Sequence, residues 1–151
     1  MNQFTRQLMR VLWLSVVLLA VGYAPSGVAE QSKRLGPWEV HYNAFNSTLL
    51  RPEMAKQYGL SRSETLATLN ISVLDATLPN KPAQRVEISG YVMNPLSQQV
   101  RLAFDEVIEG DAVYYLAQTR FSNLETLRFF ITIKQGQQTQ ELRFHKEFWA
   151  N

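Results

Sequence analysis

The chain has 151 residues, 15 Lys and Arg against 13 Asp and Glu, and no cysteine, which excludes a disulfide scaffold and any cysteine-ligated metal or redox centre. With 46% hydrophobic and 19% charged residues it lies far from the composition of disordered chains, and its length suits one domain. The formal charge of +2 raises the question of an acidic partner.

Arg6 and Arg10 are the only charges before Glu30, and they precede the apolar run from Val11 to Val21. That order is a basic n-region followed by an h-region. The run falls within the roughly 7–15 residues of a secretory h-region and is short of the ~20 needed to span hydrocarbon. Gly22, Pro25 and Gly27 break the helix, and Gly27 and Ala29 put small side chains at the two positions a signal peptidase inspects. Cleavage is predicted after Ala29, with an uncleaved anchor as the alternative. The mature domain then covers 30–151, carries no transmembrane segment and is periplasmic. Losing Arg6 and Arg10 leaves 13 basic against 13 acidic residues, so the excess charge belongs to the export signal. No nucleic-acid partner is expected.

The first predicted strand places Trp38, Val40 and Tyr42 on one face. An irregular segment, Asn43–Arg62, follows. Within it Pro52 to Tyr58 reads as a short helix, with Pro at the start, Glu53 in the first turn and Gly59 just past the end. Two turns cannot hold themselves in water, so Met54, Tyr58 and Leu60 are expected to dock it. From Leu66 onward the period is two, and six further strands take inward sets. These are Leu69, Ile71 and Val73; Val86, Ile88 and Val92; Val100, Leu102, Phe104 and Ile108; Val113, Tyr115, Ala117 and Phe121; Leu127, Phe129, Ile131 and Ile133; and Leu142, Phe144 and Phe148.

The connections are turn chemistry, which makes neighbours antiparallel. Gly110-Asp111 suits a type II′ hairpin. Its register sets Ile108 opposite Val113, Glu106 opposite Tyr115, Phe104 opposite Ala117 and Leu102 opposite Thr119. Glu106 on the inner face must sit at a rim, satisfied by water or the Tyr115 hydroxyl. The predicted fold is all-β: an immunoglobulin-like antiparallel sandwich of about seven strands, with one short helix in the insert after the first. Outward Leu74, Tyr114, Leu116 and Phe130 are either an exposed patch or the seat for that helix.

The run Leu35-Gly36-Pro37-Trp38-Glu39-Val40-His41-Tyr42-Asn43-Ala44-Phe45-Asn46-Ser47-Thr48-Leu49-Leu50-Arg51-Pro52-Glu53 is distinctive. With Tyr58-Gly59-Leu60-Ser61-Arg62-Ser63, Asn70-Ile71-Ser72-Val73-Leu74 and Phe104 to Gly110, it resembles the exported gammaproteobacterial proteins catalogued as domain of unknown function 4426. The resemblance implies an exported, single-domain, all-β envelope protein. It implies no catalytic residues.

Chemistry-bearing residues are few. His41 and His145 are the only histidines, and Glu39 with His41 at i, i+2 on one strand face is a legitimate but incomplete ligand pair. A nucleophile would have to be Ser47, Thr48 or Ser63 beside His41, yet the chain lacks the Gly-x-Ser-x-Gly elbow. Asp105, Glu106, Glu109 and Asp111 do not follow the order of a calcium loop. The Asn43–Arg62 segment is more suggestive, because long irregular loops are often functional. Its polar groups are either a binding surface or partners for the loop's own backbone.

The candidate binding surface is Glu39, His41, Asn43, Asn46, Ser47, Thr48, Tyr58 and Arg62. The expected function is that of a non-enzymatic protein-binding or chaperone-like envelope module with an envelope protein as partner. No catalytic residue, metal site or cofactor is expected. The alternatives are a periplasmic small-ligand or metal-binding protein and, third, a hydrolase.

Overall fold

Trp38, Val40, Tyr42 and Ala44 alternate with polar residues, and all four are buried. The same alternation recurs down the chain and builds a two-layer sandwich in a computed structural model that describes residues 30–150. The export signal expected over residues 1–29 lies outside the described residues. Among the described residues there are nine strands: β1 (Gln31–Leu35), β2 (Trp38–Asn46), β3 (Leu66–Asp75), β4 (Glu87–Met93), β5 (Gln99–Leu102), β6 (Asp105–Glu109), β7 (Ala112–Arg120), β8 (Glu125–Gln135) and β9 (Gln138–Phe148). One helix, α1 (Pro52–Tyr58), follows a single 3-10 turn at Ser47–Leu49.

A five-stranded sheet runs β1-β2-β3-β7-β6 and a four-stranded sheet β5-β4-β8-β9, with every pairing antiparallel. Setting aside β1 and β5, the orders β2-β3-β7-β6 and β4-β8-β9 reproduce the immunoglobulin layout of a four-strand and a three-strand sheet. Nearly all the predicted inward residues of β2, β3, β7, β8 and β9 are buried, and Phe144 packs against them half-buried. Aromatic rings join the two layers at the β9 side, where Phe144 stacks on Phe129 at 4.6 Å and tilts against Tyr42 at 4.6 Å. Such pairs add about 0.5–1.5 kcal/mol beyond their burial.

Two additions raise the predicted seven strands to nine. Residues 31–35 carry no apolar alternation, because β1 is an exposed edge whose Lys33 and Arg34 need no core partner. The other addition corrects a predicted element. The single strand expected through Val100, Leu102, Phe104 and Ile108 is two strands in different sheets: β5 pairs with β4, and β6 pairs with β7. Leu102 therefore lies opposite Gly90 rather than Thr119, and Phe104 falls between the strands rather than opposite Ala117. Val100 (57% exposed) and Ile108 (52%) are on the surface, not in the core. The chain crosses between layers at Ala103-Phe104 without any turn residue to mark it.

Closer to the hairpin tip the expected register holds, with Ile108 opposite Val113 and Glu106 opposite Tyr115. Gly110 has φ +56° and Asp111 is not among the positive-φ residues, as a type II′ turn requires. Gly36-Pro37 and Gly136-Gln137 close the β1–β2 and β8–β9 hairpins in the same way, each with the glycine at φ +57°.

Candidate functional site

Strand alternation puts Glu39, His41, Asn43 and Phe45 of β2 on the outer face of the five-stranded sheet. Across the sheet His41 pairs with Ser72, Asn43 with Asn70 and Phe45 with Thr68. Asn70 in turn pairs with Leu116 of β7. The insert folds back over one half of this face. Its helix begins at Pro52 and ends in a Schellman motif, in which Gly59 adopts φ +66° and the Leu60 N–H donates to the Ala55 carbonyl at 2.8 Å. Ala55 and Leu50 are buried against the sheet, while Met54 stays 45% exposed. Met54, Tyr58 and Leu60, the residues expected to dock the helix, all line the space between the insert and the sheet, and Ala55 of the same helix is buried.

Three polar contacts pin the insert. The Ser47 hydroxyl, fully buried, donates to the Ser63 carbonyl (2.9 Å) and accepts from the Ser63 N–H (2.8 Å). Arg62 donates to the Thr48 carbonyl at 3.0 Å. The Gln118 carboxamide of β7 accepts from Ser61 N–H (3.0 Å) and donates to Ser61 O (2.8 Å) and Thr68 Oγ1 (3.0 Å). Asn46 reaches the opposite way, donating to the Trp149 carbonyl at 2.6 Å. The side chains of Asn46, Ser47 and Arg62 are thereby engaged with backbone, and the Ser47 and Ser63 hydroxyls bond to Ser63 and Thr65 rather than to His41.

What the insert leaves is a cleft of about 270 Å³. Its floor is Phe45, Thr68, Asn70 and Leu116; its roof is Leu50, Met54, Tyr58 and Leu60; Val107, Glu109 and Tyr114 close the far side. Leu116 and Tyr114 are hence the seat of the insert, one of the two roles predicted for them. Phe130 belongs elsewhere, stacked on Tyr91 at 4.9 Å in the four-stranded sheet. Asn70 Oδ1 is fully buried at the floor with no hydrogen-bond partner. Sequence reading missed both Asn70 and Gln118. A polar residue at an outward strand position reads as solvated, and only the folded insert removes it from water.

The other half of the same face is a broader, open depression of about 840 Å³, lined among others by Glu30, His41, Lys81, Asp111 and, again, Tyr114. Glu39 binds Lys81 Nζ at 2.6 Å and His41 Nε2 at 2.7 Å. The Lys81 hydrogen bond first, and the His41 one second, hold its carboxyl below the usual value. Glu30 approaches the other ring nitrogen, Nδ1, at 3.7 Å. The two carboxylates thus sit on opposite edges of one imidazole and do not converge on a common point. His145 belongs to the other sheet. Among the described residues no three His, Asp or Glu side chains are grouped as a metal ion requires.

The fold and this covered face define an all-β sandwich with a helical insert over one sheet. The family model for the domain of unknown function DUF4426 matches residues 32–151, and the chain belongs to that family. A crystal structure of a DUF4426 family protein from Pseudomonas aeruginosa PAO1 is similar at 33% identity and a TM-score of 0.70, covering 81% of this chain and 96% of that one. FetP of uropathogenic E. coli strain F11, expressed recombinantly in the periplasm of E. coli BL21(DE3), shares the fold at 9% identity and a TM-score of 0.56, covering 83% and 99%. A copper-bound variant of FetP is similar at 9% identity and 0.56, covering 82% and 97%. No curated protein matches the sequence.

Proposed function

We infer that the protein is a non-catalytic binding module of the cell envelope whose ligand seat is the cleft between α1 and the outer face of the five-stranded sheet. One observation carries the reading: a mostly apolar cleft of about 270 Å³ enclosed between the insert and the sheet. The cleft lies near the lower end of small-molecule pockets, roughly 300 Å³.

This reading favours a small ligand over the protein partner expected from the sequence, because three of the polar side chains expected to form the surface, Asn46, Ser47 and Arg62, bind backbone of this chain. A copper site like that of the FetP variant has less support, since the likeness is one of fold and the His41 carboxylates diverge. Export to the periplasm rests on the basic and then apolar order of residues 1–29, and no helix among the described residues is long and apolar enough to cross a membrane.

Methyl NMR tests the seat. Adding 1-hexanol to the purified protein should shift the Met54 methyl, which lines the cleft, and leave that of Met93 on the other sheet unchanged. Leu60→Trp, which fills the cleft, should abolish the shift. Equal shifts at both methionines, or none at Met54, would rule the seat out.

A further inference from the structure

Along β9 the inner face reads Leu142, Phe144, Lys146, Phe148, so a lysine stands where the alternation calls for an apolar side chain. Lys146 reaches across the gap between the layers, donating from Nζ to the Ala44 carbonyl of β2, with the buried Phe148 ring 5.6 Å away. The flank is open there because β1 pairs with β2 only as far as Tyr42, which leaves residues 43–46 of β2 without a strand on that side among the described residues. A pocket of about 370 Å³ results, with Tyr42, Ala44, Phe144 and Lys146 in its walls. No Asp or Glu lines it, and among the described residues Lys146 takes part in no ion pair. Burial holds the Lys146 ammonium below its usual value, the direction expected of a cation taken from water without a counter-charge.

Capping one carbonyl does not call for an ammonium, since a glutamine would do so without desolvating a charge. Lys146 has one of its three protons on Ala44 O and two others to donate. From the inward lysine, the pocket it lines and the lack of a carboxylate there, we propose a second ligand site, on the flank between β2 and β9, that takes a small carboxylate with an apolar body. The carboxylate meets the Lys146 ammonium, and the apolar body lies against the rings of Tyr42 and Phe144, 4.6 Å apart. The Tyr42 hydroxyl, which is not sealed from solvent and bonds to no protein group among the described residues, is a further donor. An amine of the same shape would face Lys146 as a like charge, and an alcohol would leave the ammonium without a counter-charge. The site lies between the layers and is independent of the cleft under α1, which is on the outer face of the five-stranded sheet.

Amide NMR titration of the purified protein with benzoate, benzyl alcohol, benzylamine and inorganic phosphate tests the assignment. Benzoate should shift the Ala44 and Lys146 amides at least about tenfold more tightly than benzyl alcohol does, benzylamine should not bind, and phosphate should not displace benzoate. The Met54 methyl at the other cleft should stay unmoved. Lys146→Met, which keeps the apolar stem, should erase the preference for benzoate over the alcohol, and Lys146→Arg should retain it. A second readout needs no variant: benzoate at twice its Kd should slow acetylation of Lys146 by acetic anhydride about threefold, leaving exposed Lys134 of β8 unchanged. Equal affinity for benzoate and the alcohol, equal binding of phosphate, no protection of Lys146, or a benzoate shift at Met54 instead would each overturn the site. A carboxylate arrives either as a free acid or as the C-terminus of a peptide. Displacement of benzoate by N-acetyl-phenylalanine identifies the second source, and its absence the first.

Discussion

Tyr115 shows how much a single hydroxyl does at the rim of this sandwich. Its ring is buried in the core, and its OH accepts from the Val86 N–H at 2.7 Å and donates to Glu106 Oε2 at 2.9 Å. Arg85 meets the same carboxylate at 2.7 Å. One group thus ties β7 to β6 and to the segment leading into β4 of the other sheet. Tyr115→Phe strands the Val86 N–H and should cost about 1–2 kcal/mol in urea denaturation. Glu106 is held below the usual carboxylate value, first by Arg85 and then by Tyr115, as Glu39 is by Lys81 and His41. A carboxylate depressed in the folded state contributes stability that is fully present above its unfolded value of ~4.3 and lost as pH falls through the folded value. The melting temperature should therefore be level down to about pH 5 and drop below about pH 4, with a shallower drop in Glu106→Gln. A scan in which that variant falls as steeply as the parent would assign acid sensitivity to other groups. The sequence showed the Glu106–Tyr115 pair through the hairpin register, whereas Arg85, two residues before β4 in the other layer, could not be placed by local spacing.

At the scale of elements, the insert and β4 are the sensitive ones. The insert holds its place through few contacts: the Ser47–Ser63 pair, Arg62 on Thr48, the Gln118 clamp and the packing of Ala55 and Leu50. Ser47→Ala removes both bonds of a fully buried hydroxyl and should cost about 1–3 kcal/mol. Hydrogen exchange should rise across residues 47–65 more than in β8, since loosening the insert leaves the sheets intact. Uniform acceleration throughout would show instead that the insert and sandwich unfold together. In β4 the tight spot is Gly90, where a Cβ would come within 2.5 Å of the Phe130 backbone carbonyl on β8. Backbone cannot yield as a flexible side chain does, so Gly90→Ala should lower stability by about 1–3 kcal/mol, read by thermal melting. The helix itself was legible from Pro52, Glu53 and Gly59, because capping is local chemistry. The burial of Ala55 was not, since a small residue carries no hydrophobic signal of its own.

For the whole molecule, the charge of the full chain and that of the domain are different quantities. The excess of two basic residues resides in Arg6 and Arg10, so a domain beginning at Glu30 is neutral. Intact mass of protein recovered from the periplasm should correspond to residues 30–151; retention of the first 29 would establish an anchor instead. The absence of cysteine leaves stability to the core, and the sandwich meets that demand with two inner faces of alternating side chains plus aromatic contacts between them. The sequence by itself determined the class of fold, the strands whose inner faces are buried, the hairpin turns and the helix ends, because each follows from periodicity or from residues a few positions apart. Only the tertiary structure decided that one predicted strand divides between two sheets, that an exposed edge strand precedes the rest, and that the insert covers half of one sheet. Those outcomes depend on contacts between segments far apart in the chain. The unpaired acceptor of Asn70 is the sharpest case: its position in β3 is local, but its removal from water is the work of a helix that lies elsewhere in the sequence.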